Sequence, residues 1–174
     1  MSPDESSDRR DDLVLRTDRF AAVIAPAPPT AFCACEGCSP SAGGRAALML
    51  AGILHHRLDG DPDLTALLDR WSADFPDATR RCQAAGADWR VSAAILNHVT
   101  SELWLVGKVS AHLGDHDLRT PGGRTTLGPT PVSRGQCLVR RLSAGVVLRL
   151  SSDYDQAYGP ASSIEVTVSK PTGE

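Results

Sequence analysis

The segment AFCACEGCSPS, residues 31–41, carries Cys33, Cys35 and Cys38, three of the five cysteines in a 174-residue chain. Sulfurs this close in sequence can converge on one ion, and a metal held that way fixes the local chain path more tightly than any apolar pattern. The Cys35-x-x-Cys38 spacing is that of the knuckle in tetrahedral zinc sites, where backbone N–H groups of the turn also point at the thiolates. Gly37 lies inside that turn and accepts a positive φ without steric cost. Candidates for the fourth ligand are Cys82, His55, His56 and Cys137. His55 and His56 fall near the far end of the helix that the cluster opens, about 20–25 Å along its axis. Cys82 is therefore the better partner, and the expected set is Cys33, Cys35, Cys38 and Cys82 around Zn2+. Two other readings stay open. The cysteines can be small buried hydrophobes, or Cys35 and Cys38 can form a reactive thiol pair at a helix N-terminus.

The compartment bears on that choice. The opening MSPDESSDRRDD is polar and lacks the apolar stretch of a secretory signal. No apolar run approaches the roughly 18 residues that span a bilayer. A cytoplasmic protein is expected, with reduced thiols that favour metal or catalysis over a structural disulfide. A formal charge of −3 and arginines scattered in pairs, as at Arg80–Arg81 and Arg140–Arg141, argue against nucleic-acid or membrane partners. The expected partner is an unknown small molecule or protein. Aromatic residues are only 5% of the chain, so Ala, Leu and Val must fill the core. Usage rich in Arg and Ala and poor in Lys reads as that of a high-GC bacterium.

Along the chain, residues 1–11 read as a disordered tail and 12–174 as a single domain. DLVLRTDRFAAVIA (12–25) reads as a strand or hairpin turning at Thr17-Asp18, followed by a stiff PAPP connector. Ser39 and Pro40 open a helix that Asp59-Gly60 ends. A second helix starts at Asp61-Pro62, with Leu64, Leu67, Leu68 and Trp71 on one face and a break at Pro76. Residues 88–113 fit a strand pair better than a helix. QCLVRRL and VVLRLSS read as a hairpin about Ala144-Gly145. SSIEVTVSK (162–170) is the clearest strand, with Ile164, Val166 and Val168 on one face. The AHLGDHD stretch places His112 and His116 near Asp115 and Asp117, and Gly114 marks it as a polar turn more than a metal-binding helix.

ELWLVGK (102–108) followed by LGPTPVSR (127–134) resembles the "WLxGR … LGxTPLGR" pattern of chorismate lyases. Trp104, Leu105, Gly107, Leu127, Gly128, Thr130, Pro131 and Arg134 match, and Lys108 stands where Arg is usual. Glu165 in IEVTV lies where that family has a catalytic Glu. Upstream, Ala93 and Ala94 occupy the region of the family's active-site Arg, and Arg90 is displaced from it. The resemblance implies a cofactor-free pocket for a small carboxylate, with Arg134 holding the ligand and Glu165 as acid or base. The cysteine segment is also similar to short stretches of uncharacterised actinobacterial proteins.

The sequence thus predicts an α+β protein whose helical N-terminal half packs on an antiparallel sheet from the C-terminal half. Its expected role is that of a zinc-stabilised binding or interaction protein. The alternative is a small-molecule enzyme or carboxylate binder with a chorismate-lyase-like pocket.

Overall fold

A computed structural model describes residues 12–26, 42–58, 63–81, 90–121, 125–128, 130–153 and 162–169. The chain enters as an antiparallel hairpin, β1 (Leu13–Arg16) and β2 (Phe20–Pro26), with Leu13 opposite Ile24 and Arg16 opposite Ala21. Thr17 makes the turn. Its Oγ1 accepts from the backbone N–H groups of Arg19 at 3.1 Å and Phe20 at 3.0 Å, so a side chain supplies what a longer loop would need backbone to supply.

Helix α1 (Ala42–Gly52) runs on into a π-helical turn, Ile53–Arg57. Ala46, Ala47, Leu50, Ala51 and Leu54 are buried at helical spacing, which gives the helix one apolar face. Helix α2 (Leu64–Arg81) starts at Asp63, two residues later than the predicted cap. The Asp63 Oδ1 accepts from the Ala66 N–H at 2.7 Å. Leu64, Leu67, Leu68, Trp71 and Phe75 form its buried stripe. The predicted break at Pro76 is corrected, because the helix continues through it. Pro76 and Ser72 both face solvent, so water can satisfy the carbonyl that the proline leaves unpaired, while the apolar stripe holds the helix down.

The remaining strands are β3 (Val91–Asn97), β4 (Glu102–Val106), β5 (Val109–Leu113), β6 (His116–Arg119), β7 (Leu138–Arg141), β8 (Val147–Ser152) and β9 (Ser163–Thr167). They form two antiparallel sheets. Sheet A has five strands in the order β1-β2-β3-β4-β7, and sheet B has four in the order β6-β5-β8-β9. The inner faces meet in a core of Ala21, Val23, Ala94, Leu96, Leu103, Leu105, Val109, Ala111, Leu148, Leu150, Ile164 and Val166. The outer face of sheet A is covered by both helices, which bring Leu50, Leu67 and Trp71 onto Ile24, Ala93, Ile95 and Trp104. The order is therefore helices, sheet A, sheet B. Each fully buried Leu in these layers contributes roughly 1.5–3 kcal/mol.

The chain passes between the sheets at opposite ends. Gly107-Lys108 carries it from β4 to β5. Gly107 has φ +83, and an added Cβ would stand 2.4 Å from Ser92 Oγ. That hydroxyl accepts from the Lys108 N–H at 2.9 Å, and Thr120 Oγ1 donates to the Gly107 carbonyl at 3.0 Å. At the other end, residues around Ala144-Gly145 lead from β7 to β8, with Gly145 at φ +88. The predicted hairpin there is corrected: β7 pairs with β4, and β8 pairs with β5 and β9.

The predicted α+β architecture is corrected as well. The N-terminal half is not a helical unit laid on a C-terminal sheet, since β1 and β2 from that half are two of the five strands of sheet A and the fold is mostly antiparallel β. Strands β2 and β3 are buried along their whole length, so neither shows the alternation that marks a half-exposed strand. Among the described residues, no helix is long and apolar enough to cross a membrane. The predicted tail, residues 1–11, lies outside the described residues.

Candidate functional site

One end of the sandwich collects the features that a binding surface needs. Here β2 finishes at Pro26 and β3 begins opposite it at Val91. The Gly107-Lys108 crossing lies at the same end, and the Asp153 N–H donates to the Lys108 carbonyl at 3.0 Å. Arg119, at the end of β6, forms an ion pair with Asp153 at 3.2 Å. Arg90, Lys108 and Arg119 are all exposed, and the half-buried Asp153 adjoins Lys108 and Arg119. The described chain departs or returns at this end at Pro26, Arg90, Pro121, Asp153 and Ser162. Strand ends presented by a rigid scaffold are where binding groups concentrate. Among the described residues, this end carries three cationic side chains and one carboxylate, and guanidinium and ammonium groups are donors suited to anionic oxygens.

The opposite end holds a cavity of about 270 Å³ between the π-helical turn and sheet A. Phe20, Leu54, Leu58, Ile95 and Trp104 give it apolar walls, while Arg19, His55 and Asn97 add polar groups. His55 stands edge-on to Phe20 with ring centroids 5.2 Å apart. Trp104 is 1% exposed, and its Nε1 has no hydrogen-bond partner. Elsewhere Trp71, the other described large indole of the core, donates to the Gly128 carbonyl at 3.2 Å.

The predicted site residues fall as follows. Cys33, Cys35, Cys38 and Cys82 lie outside the described residues. Cys137 packs in the helix-side core, with its Sγ 3.6 Å from the Ser133 carbonyl, and burial pushes its thiol up to about 11. Among the described residues, no group of three or more His, Cys, Asp or Glu is placed to hold a metal ion. The predicted zinc set of Cys33, Cys35, Cys38 and Cys82 is not among those residues. Arg134 is exposed in a 3-10 turn (Arg134–Gln136) beside α2, on the helix side of sheet A. Glu165 is exposed on the outer face of sheet B, in register with Arg149. His112, predicted in a polar turn, is instead part of β5, directly opposite Asp117 on β6.

No family model matches the chain, and no curated protein matches it in sequence. Its fold does match solved structures. A bacterial serine phosphatase superposes with a TM-score of 0.57 over 83% of this chain and 72% of its own, at 9% identity. A structure of RsbX in complex with magnesium aligns with a TM-score of 0.43 over 82% of this chain and 78% of its own, at 10% identity. The chorismate-lyase resemblance is corrected by this likeness and by the topology. Trp104 and Leu105 belong to a central strand of sheet A, and Glu165 belongs to sheet B. Short motifs shared by two antiparallel folds do not carry the strand order with them.

Proposed function

We propose that this protein binds phosphate esters, of the kind a serine phosphatase handles, at the rim formed by Arg90, Lys108, Arg119 and Asp153. The observation that carries the reading is the placement of those cations at described strand ends on one end of the sandwich. The phosphatase-like fold supports it only by analogy, because one fold hosts many functions. Phosphoryl oxygens are met by guanidinium and ammonium donors, the first in a planar fork and the second as a point charge. The described residues supply a single carboxylate, Asp153, at this rim and do not fit a divalent ion. The reading therefore concerns recognition, and no step is derived through a metal.

The test compares a phosphoserine peptide with its unphosphorylated twin by fluorescence anisotropy on the full chain. Tighter binding of the phosphorylated form is expected, falling about 10-fold with Lys108→Ala and more steeply at high salt. Equal affinity for the two peptides would overturn the reading. Release of inorganic phosphate from the phosphopeptide would extend it from binding to hydrolysis.

A further inference from the structure

The outer face of sheet B carries a second arrangement, independent of the rim. Along β5 and β8 the inward positions are Val109, Ala111, Leu148 and Leu150, which sends Ser110, His112 and Ser151 to the opposite face. The β5–β6 turn at Gly114, whose φ is +57, sets His112 directly across from Asp117. The resulting contacts form a chain. Asp117 Oδ1 lies 2.5 Å from His112 Nδ1, and His112 Nε2 lies 3.2 Å from Ser151 Oγ. Ser110 Oγ sits 3.3 Å from both His112 Nε2 and Ser151 Oγ.

The hydrogen bond with His112 holds the Asp117 carboxyl below the usual carboxylate range, aided by the nearby charges of His112 and Arg119 and opposed by desolvation. A carboxylate at Nδ1 keeps the ring proton there and turns the Nε2 lone pair toward the serines. The His112 side chain is 33% exposed, so a small substrate can reach it. Ser151 is 7% exposed and Ser110 only 1%, so both are buried and Ser151 is the nearer of the two hydroxyls to the surface. Other charged groups on this face are Arg149, opposite His112 on β8, Glu165, opposite Arg149 on β9, and the Arg119–Asp153 pair. Asp115 and His116 stand in and after the turn.

We propose that Ser151 is an activated nucleophile toward small activated esters, with His112 as its general base and Asp117 fixing the imidazole tautomer. Nucleophile, base and orienting acid within hydrogen-bond reach are the parts this chemistry needs, whatever the fold. Ser151 Oγ attacks the ester carbonyl carbon as His112 Nε2 takes the Oγ proton. The bond to the leaving oxygen breaks, and that oxygen receives the proton from His112. Water then attacks the acyl-Ser151 carbonyl through the same relay, releasing the carboxylic acid and restoring the hydroxyl.

The experiment treats the full chain with a fluorophosphonate, which loses fluoride and leaves phosphorus bonded to the serine oxygen, and maps the label by mass spectrometry. Labelling at Ser151 is expected and is abolished by Ser151→Ala. His112→Gln should slow it at least 10-fold and change its pH profile. Asp117→Asn should slow it with a displaced profile, a change that a purely structural hydrogen bond would not produce. Circular dichroism and thermal unfolding verify that each variant is folded. In Ser151→Cys, alkylation at position 151 should outpace that of buried Cys137. An unlabelled native protein, a label that survives Ser151→Ala, or a pH profile unchanged by His112→Gln would overturn the proposal.

Discussion

Sheet A and sheet B share one core yet live under different constraints. Sheet A is covered twice, by sheet B on one face and by α1 and α2 on the other, so β3 is buried from Val91 to Asn97. Sheet B is covered on the inner face, and β9 alternates between exposed and buried positions. The difference shows in composition. β2 and β3 take Ala at 21, 22, 93 and 94, which lets layers approach from both sides, whereas the outer face of sheet B collects Ser, His, Asp, Arg and Glu. A doubly covered sheet spends its side chains on packing. A singly covered one keeps a face for polar chemistry.

Substitutions can break that contrast. Leu105→Ala in the core between the sheets and Ile95→Ala under the helices should each cost about 2–5 kcal/mol, read from urea midpoints. If only Leu105→Ala were costly, the helix layer would not be a true second cover. Gly107→Ala should cost about 3 kcal/mol, because its Cβ meets Ser92 Oγ and its φ is positive. Loss on that scale would show that the sheets depend on the crossing between them.

Cys137 offers a pH test of burial on the helix side. Its folded pKa of about 11 lies above the unfolded value of 9.0, so its contribution is complete below pH 9 and is lost as pH rises toward 11. Cys137→Ala should flatten that part of the stability profile measured by thermal melts. Trp104→Phe should change stability by no more than about 1 kcal/mol, since removing an unpaired buried N–H offsets part of the lost ring packing. Glu165→Ala, on the open face, should stay within about 0.5 kcal/mol. A large effect there would mean that the outer face of sheet B is covered after all.

The same contrast explains what the sequence disclosed. Strand β9 is legible because Ile164, Val166 and Val168 alternate with exposed positions, and the first hairpin is legible because Thr17 marks its turn. The α2 stripe follows helical spacing. FAAVIAP and VSAAILN, buried on both faces, carry no period, so the sandwich and its strand order stayed hidden. The serine relay was hidden for another reason. Gly114 announces a turn near His112 and Asp117, but Ser151 lies 39 residues from His112 and meets it only through β5–β8 register. The rim is equally a product of topology, because Arg90, Lys108 and Arg119 share no motif.

The crossings at Gly107-Lys108 and around Gly145 sit at opposite ends of the sandwich, fastening the two layers like rivets on a laminate. Shear between the layers would have to stretch one fastening or the other, so neither sheet can peel away alone. Amide protons in β3 and β5 should accordingly exchange with deuterium at one common rate, that of whole-molecule opening.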